Sequence, residues 1–135
     1  MANELKTPPQ LPAGMESAQR FLDLLEPDGK FTFQVFADSK KSGIRPMMLH
    51  GTLAEYASRL TALNLAGAGV FVTVNQTDLK GRKKENIVRV RAVFVDLDGA
   101  PLQPVLDGPL PPQIVVETSP GRWHAYWLID YLDTA

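Results

Sequence analysis

The prolines of this chain restrict the secondary structure open to its C-terminal third. Five of them lie between Gly99 and Pro112, at positions 101, 104, 109, 111 and 112. Proline lacks an amide hydrogen and clashes with the preceding helical turn, so a long helix is disfavoured here. Strong strand patterns stand on both sides of this segment, and there is little room for a crossover helix between them. The pattern therefore favours an α+β fold, with a mostly antiparallel sheet and two helices, over a doubly wound parallel sheet.

Apolar spacing predicts the two helices and about five strands. One helix covers the apolar positions from Ala18 to Leu25, and a capping box of Thr52 and Glu55 begins the other. The turn Ser119–Arg122 contains Pro-Gly and is expected to close a hairpin. The predicted strands cover residues 31–36, 69–74, 87–95, 114–118 and 123–129. The strand over residues 69–74 is expected to be buried, because it is almost continuously apolar.

The composition is typical of one globular domain. Hydrophobic residues make up 44% of the chain and charged residues 21%. We expect a mobile, proline-containing leader over residues 1–14 and one domain over residues 15–135. The absence of cysteine excludes a thiolate zinc site and a cysteine nucleophile, and it fits a cytoplasmic location. A net charge of −1 argues against a protein that coats nucleic acid by charge alone, and no apolar run is long enough for a membrane span.

An acidic pair ends the apolar run Val93–Val95. Alternate residues of a strand point to one face, so Asp96 and Asp98 are predicted side by side, with Cα atoms about 7 Å apart. Two ionised carboxylates repel each other, and removing either from water costs free energy. Mg²⁺ or Mn²⁺ would neutralise them, because these cations prefer oxygen ligands. The spacing leaves open a plainer alternative, a strand that ends in a solvated Asp-Gly turn.

The predicted hairpin turn carries a second group of polar side chains. Ser119, Arg122 and His124 bring a hydroxyl, a guanidinium and an imidazole into one short segment. All three can donate hydrogen bonds to phosphate oxygens. A strand histidine satisfied by a neighbouring side chain is the alternative for His124.

Together these two segments resemble the primase-polymerase (archaeo-eukaryotic primase) superfamily, and more closely the RepB-like replication primases of plasmids and phages. In that family an apolar strand ends in Asp-x-Asp, matched here by Val93–Asp98. A following hairpin carries a serine and a histidine, matched by Ser119 and His124. The similarity covers about Phe21–Leu128, and its specific part is these two short motifs.

The resemblance implies an RRM-like core and a DNA primase or nucleotidyltransferase that acts in plasmid or phage replication. Its reaction would be metal-dependent, template-directed nucleotidyl transfer. Asp96 and Asp98 would bind Mg²⁺ or Mn²⁺, while His124 and Ser119, with Arg122, would hold the triphosphate. The implied partners are nucleoside triphosphates, a DNA template and a helicase domain or replisome component.

The resemblance also suggests which residues contact nucleic acid and what the chain lacks. Basic side chains between residues 80 and 91 would contact the template or primer backbone. These residues are Lys80, Arg82, Lys83, Lys84 and Arg89, of which Arg89 is the least favourably placed. The alternative is a solvated basic loop. The family has a third metal-binding carboxylate on a later strand, for which this sequence offers no clear match before Ala135. We therefore expect an N-terminal fragment of such a domain, truncated at its C-terminal end.

Two other functions compete with this interpretation. Phe94–Gly99 is close to the nucleophile motif of haloacid-dehalogenase-like phosphatases, in which the first aspartate attacks phosphorus. That motif normally opens a parallel sheet near the start of the chain, so parallel neighbours of the Asp-x-Asp strand would favour a phosphatase and antiparallel neighbours a primase. The second alternative is a catalytically inactive module that binds nucleic acid or a partner.

Overall fold

The computed structural model describes residues 15–37 and 43–129. The chain divides into two compact units, Met1–Val88 and Arg89–Ala135, which we describe separately as unit 1 and unit 2. The predicted leader, residues 1–14, lies outside the described residues. The prediction of one catalytic domain over residues 15–135 stays a prediction. Among the described residues, no helix combines the length and the apolar character needed to cross a membrane.

Unit 1 is built from two helices, a three-stranded antiparallel sheet of order β2-β1-β3 and a small pair of strands, β4 and β5. The last residue of β5 lies just beyond the unit boundary. A short 3-10 helix, Lys84–Asn86, precedes β5. The elements are α1 Met15–Leu25, β1 Phe31–Ala37, β2 Met47–Gly51, α2 Leu53–Leu65, β3 Ala68–Val72, β4 Gln76–Thr77 and β5 Ile87–Arg89.

Helix α2 begins where the capping box predicts. The Thr52 hydroxyl accepts from the Glu55 amide at 3.2 Å, and Glu55 Oε1 accepts from the Thr52 amide at 2.8 Å. These bonds satisfy two amides that have no partner within the helix. The apolar side chains of the helices and of one sheet face form the core of unit 1, whose most buried members include Leu22, Phe31, Phe33, Val35, Leu53 and Leu60.

The other face of β1 carries Thr32, Gln34 and Phe36, and it is only partly covered. The segment around β4 covers the Thr32 end, where the Thr77 and Thr32 hydroxyls lie 2.7 Å apart and His50 Nδ1 lies 2.9 Å from the Thr32 hydroxyl. Thr32 and Gln34 are buried as a result, while Phe36 remains exposed. At the Thr32 end this face is therefore polar and covered, and at the Phe36 end it is aromatic and exposed.

Unit 2 is a three-stranded antiparallel sheet of order β6-β8-β7. Strands β7 and β8 form the predicted hairpin, and the connection from β6 to β7 contains only a four-residue helix, α3. Trp127 Nε1 donates to the Leu110 carbonyl at 2.7 Å, which fixes this proline-rich connection against the sheet. The elements are β6 Ala92–Asp96, α3 Gln103–Leu106, β7 Ile114–Ser119 and β8 Arg122–Leu128.

The predicted α+β class and the antiparallel pairing are confirmed, but three local predictions are wrong. The strand predicted over residues 87–95 is two strands, because β5 pairs with β4 and β6 pairs with β8. The strand predicted over residues 69–74 is not fully buried, since Phe71 faces solvent. Strand β2, Met47–Gly51, was not predicted because it lacks the alternation of apolar and polar residues that marks a strand.

Candidate functional site

The central strand of unit 2 positions the basic side chains of the candidate site. Arg122 and His124 are two residues apart on β8, so they lie on one face of the sheet. His124 is the cross-strand partner of Asp96, and such partners point to the same face. The distance from His124 Nε2 to Asp96 Oδ2 is 3.5 Å. The histidine therefore faces the carboxylate that ends β6.

Asp98 lies beyond the strand, in a tight turn. Its φ is +46° and that of Gly99 is +89°, and the Ala100 amide closes the turn by donating to the Leu97 carbonyl at 2.8 Å. The Asp98 amide donates to Asp96 Oδ1 at 2.9 Å, so the first carboxylate holds the backbone of the second. Asp98 Oδ1 in turn accepts from Arg122 Nη1 at 3.0 Å.

These contacts bring both carboxylates to the same face of unit 2. The predicted reason for this arrangement was wrong, because β6 ends at Asp96 and strand alternation does not extend to Asp98. The contacts with Arg122 and His124 place the acids instead. The resulting cluster consists of two carboxylates, one guanidinium and one imidazole, and we call these four residues the acid–base cluster: Asp96, Asp98, Arg122 and His124.

The carboxylates of this cluster are exposed to solvent. The sequence predicted a bound cation because removing two carboxylates from water would cost free energy. The side chains of Asp96 and Asp98 are 61% and 83% exposed, so that cost does not arise. Arg122 supplies a positive charge beside Asp98. Two carboxylates still offer the oxygen ligands that Mg²⁺ and Mn²⁺ prefer. The described residues contain no group of three His, Cys, Asp or Glu side chains able to hold a metal ion.

Two aromatic side chains to which the sequence assigned no role in the site, Phe94 and Tyr126, lie against the His124 ring. The Tyr126 hydroxyl lies 3.4 Å from His124 Nδ1, and the Phe94 ring stacks on the Tyr126 ring with centroids 5.1 Å apart. Burial raises the pKa of Tyr126, and the negative charge of Asp96 raises it further. Alternation along the strands would have found both residues, since Phe94 precedes Asp96 by two positions and Tyr126 follows His124 by two.

Ser119 ends β7 beside the basic side chains. It is exposed and is the cross-strand partner of Arg122, which places it on the same face as the acid–base cluster. The hairpin turn is closed by Pro120 and Gly121, as predicted, and Gly121 has a φ of +75°. Glu117 Oε2 accepts from the Gly121 amide at 3.1 Å and so stabilises this turn.

The residues predicted to contact nucleic acid lie mainly in unit 1. Lys80, Lys83 and Lys84 are exposed in the segment between β4 and β5. Arg82 Nε donates to Gln34 Oε1 at 2.8 Å, and its guanidinium carbon lies 5.5 Å from the centre of the Phe36 ring. Arg89 ends β5. The strand break between β5 and β6 removes the predicted continuity between Arg89 and the carboxylates.

We compared the chain with protein-family models, curated proteins and solved structures, and none of the three comparisons gave a match.

Proposed function

We propose that this chain carries part of the active site of a DNA primase or nucleotidyltransferase of the primase-polymerase type. The reaction is metal-dependent, template-directed nucleotidyl transfer in plasmid or phage replication, in the cytoplasm. The observation that supports it is the acid–base cluster, in which two carboxylates and two basic side chains share one face beside the Ser119 hydroxyl. The proposed partners are nucleoside triphosphates, a DNA template and a helicase domain or replisome component.

The roles follow from the chemistry of each side chain. Arg122 and Ser119 donate hydrogen bonds to the oxygens of the triphosphate, and His124 does so when its ring carries a proton on Nε2. Mg²⁺ or Mn²⁺ held by Asp96 and Asp98 would stabilise the charge on the entering and leaving oxygens of the transfer. Arg122 must exchange its contact with Asp98 for a phosphate oxygen when the nucleotide binds. Tyr126 orients the His124 ring through Nδ1.

The pairing of β6 argues against a phosphatase of the haloacid-dehalogenase type. The only described neighbour of β6 is β8, and the two strands are antiparallel. The nucleophile strand of that family lies in a parallel sheet, reached through crossover helices. The only helix described in the connection from β6 to β7 is α3, whose four residues are too few for such a crossover helix.

A nucleic-acid-binding module without catalysis is the second candidate. The contact between Arg122 and Asp98 favours it, because the chain then neutralises one carboxylate with its own arginine and needs no metal there. Of the two candidates, only the first requires the carboxylates to be ionised and the metal to be present.

Primer extension distinguishes the nucleotidyltransferase from the binding module. A primed DNA template is incubated with the protein, labelled nucleotides and either Mg²⁺ or Mn²⁺. The chain used is extended through the third metal-binding carboxylate that the resemblance implies. We expect incorporation with wild-type Asp96 and Asp98, and loss of it in Asp96→Asn and in Asp98→Asn, because asparagine removes the charge and keeps the shape. Asp107→Asn is the matched control, since Asp107 is an exposed carboxylate of unit 2 outside the cluster.

Two results would contradict the proposal. Incorporation that survives both substitutions would show that the carboxylates do not bind a catalytic metal. An extended, folded chain with wild-type Asp96 and Asp98, checked by circular dichroism, that incorporates nothing with either cation would instead favour the binding module.

A further inference from the structure

Unit 1 exposes a group of large apolar side chains that the proposed reaction does not use. Phe36, Met48 and Phe71 are 38%, 43% and 58% exposed, and they come from the three strands of one sheet. Large exposed apolar groups that adjoin one another mark binding surfaces more often than isolated ones do. We call these three residues the platform.

The strand register places the platform on a single face. Gln34 is the cross-strand partner of both Met48 and Phe71, so these side chains form one row across β2, β1 and β3. Phe36 follows Gln34 by two positions and lies on the same face. Its ring meets that of Phe71 edge to face, with centroids 6.0 Å apart. Gly69, the partner of Phe36 on β3, has no side chain to cover the ring.

Arg82 fixes a positive charge over the middle of this platform, between Met48 and Phe71. The bond from its Nε to Gln34 holds the guanidinium above the Phe36 ring, while Nη1 and Nη2 have no hydrogen-bond partner among the residues that the structure describes. Both nitrogens therefore remain able to donate to a phosphate. Lys80, Lys83 and Lys84 are exposed on the same segment, whose acidic residues are Asp78 and Glu85, so the segment is positive overall.

We propose that the platform binds single-stranded nucleic acid. A base stacks on the exposed Phe71 ring, and the phosphates contact Arg82 and the neighbouring lysines. The charge favours this ligand over an apolar protein segment, because an exposed aromatic ring beside several cations complements a polyanion with flat bases. The chain's own proline-containing leader, with one acidic and one basic side chain in Glu4 and Lys6, offers no such complement. This inference rests on the proposed function, whose DNA template it extends onto the platform. Binding needs neither metal nor nucleotide, so a failure to bind and a failure to incorporate nucleotides are distinguishable.

Fluorescence anisotropy with a labelled oligothymidylate of about 12 nucleotides, a length in the range of such sites, tests the proposal in the chain of residues 1–135. The buffer contains EDTA and about 50 mM salt, which separates binding from any metal-dependent reaction. We expect Phe71→Ala to weaken binding roughly fivefold to a hundredfold, the effect of losing one stacked base. Leu65→Ala is the matched control, since Leu65 is an exposed apolar side chain of α2 outside the platform, and it should leave the affinity unchanged.

The ionic part is tested with a second pair of variants. Affinity falls with salt, so the slope of log affinity against log salt concentration is negative. Substitution of both Lys83 and Lys84 by glutamine should make this slope shallower by about 0.7 for each phosphate that the chain no longer neutralises. Arg82→Lys keeps the charge but removes the planar guanidinium, so we expect weaker binding with a nearly unchanged salt slope.

Three results would overturn the proposal. The first is a wild-type chain that does not bind the oligonucleotide. The second is binding that depends on salt but is unchanged in Phe71→Ala. The third is a synthetic peptide of residues 1–14 that displaces the oligonucleotide and binds more tightly, which would assign the platform to the leader.

Discussion

At the scale of single residues, the contact between Arg122 and Asp98 decides how the acid–base cluster behaves. The arginine satisfies one carboxylate oxygen at 3.0 Å and must leave it before a cation or a phosphate takes its place. Both side chains are largely exposed, so the pair is weak and exchange is easy. The cluster is thus two carboxylates positioned by neighbouring residues, and not a preformed metal site.

Arg122→Gln should therefore strengthen the binding of Mn²⁺ to the nucleotide-free chain. Removing an exposed ion pair of about 0.2–1 kcal/mol leaves Asp98 open to the cation, which corresponds to a gain in affinity of about 1.4-fold to fivefold. Paramagnetic broadening of the His124 ring resonances measures the binding. Arg20→Gln, on α1 of unit 1, controls for net charge. Weaker binding in Arg122→Gln would contradict the assignment of Asp98 as a ligand.

The Tyr126 hydroxyl should ionise only above the ordinary tyrosine pKa of about 10. Burial and the Asp96 charge both favour its neutral form. Since the pKa is higher in the folded chain than in the unfolded one, the stability it contributes is complete below the unfolded value and is lost as the pH rises through the folded value. The difference in tyrosinate absorbance between wild type and Tyr126→Phe gives the midpoint.

The same titration in Asp96→Asn provides the check. Without the carboxylate charge, the pKa of Tyr126 should fall towards the ordinary value, whereas Asp107→Asn should leave it where it is in the wild-type chain. An unchanged midpoint in Asp96→Asn would show that Asp96 and Tyr126 do not interact.

At the scale of elements, local chemistry was predictable and strand partners were not. The capping box located the start of α2, and Pro-Gly located the hairpin, because both signals depend only on neighbouring residues. The division of residues 87–95 into β5 and β6 depends on which strands pair with them, and a continuous run of strand-forming residues does not contain that information. The positive φ of Asp98 was likewise hidden by an alternating sequence.

Gly121→Ala should destabilise the β7–β8 hairpin by about 1 kcal/mol, because an L-residue disfavours a positive φ. A Cβ added there would meet no atom within 4 Å, so backbone conformation alone sets the cost. Urea unfolding followed by tryptophan fluorescence measures it, since both tryptophans lie on β8. Gly108→Ala, on the connection between β6 and β7, is a control with ordinary φ and an ordinary contact distance of 3.5 Å. Equal stability of Gly121→Ala and wild type would contradict the strained turn.

At the scale of the whole molecule, the two units differ in how much of the function each is proposed to carry. The acid–base cluster belongs to unit 2, and the platform belongs to unit 1. The sequence predicted the residues of the first from a strand motif, because charged residues after an apolar run are easily seen. It did not predict the platform, since exposed phenylalanines look like core residues until the sheet faces are known.

Residues 1–88 expressed alone should fold cooperatively, because unit 1 contains its own sheet, two helices and a set of fully buried apolar side chains. Thermal melting followed by circular dichroism measures this. Leu60→Ala, at a side chain only 1% exposed, should lower the stability by about 2–5 kcal/mol. A gradual, non-cooperative melt of the wild-type segment would contradict the division into units.

Strand β6 has a further consequence for handling the protein. It lies at the edge of its sheet within the described residues, and Val93, Phe94 and Val95 are all exposed along it. An open, apolar edge is a template on which another chain can add a strand, so self-association in concentrated samples is expected to begin there. A lysine in place of Val93 should disfavour the addition of another strand at that edge, and it leaves Asp96 and Asp98 unchanged.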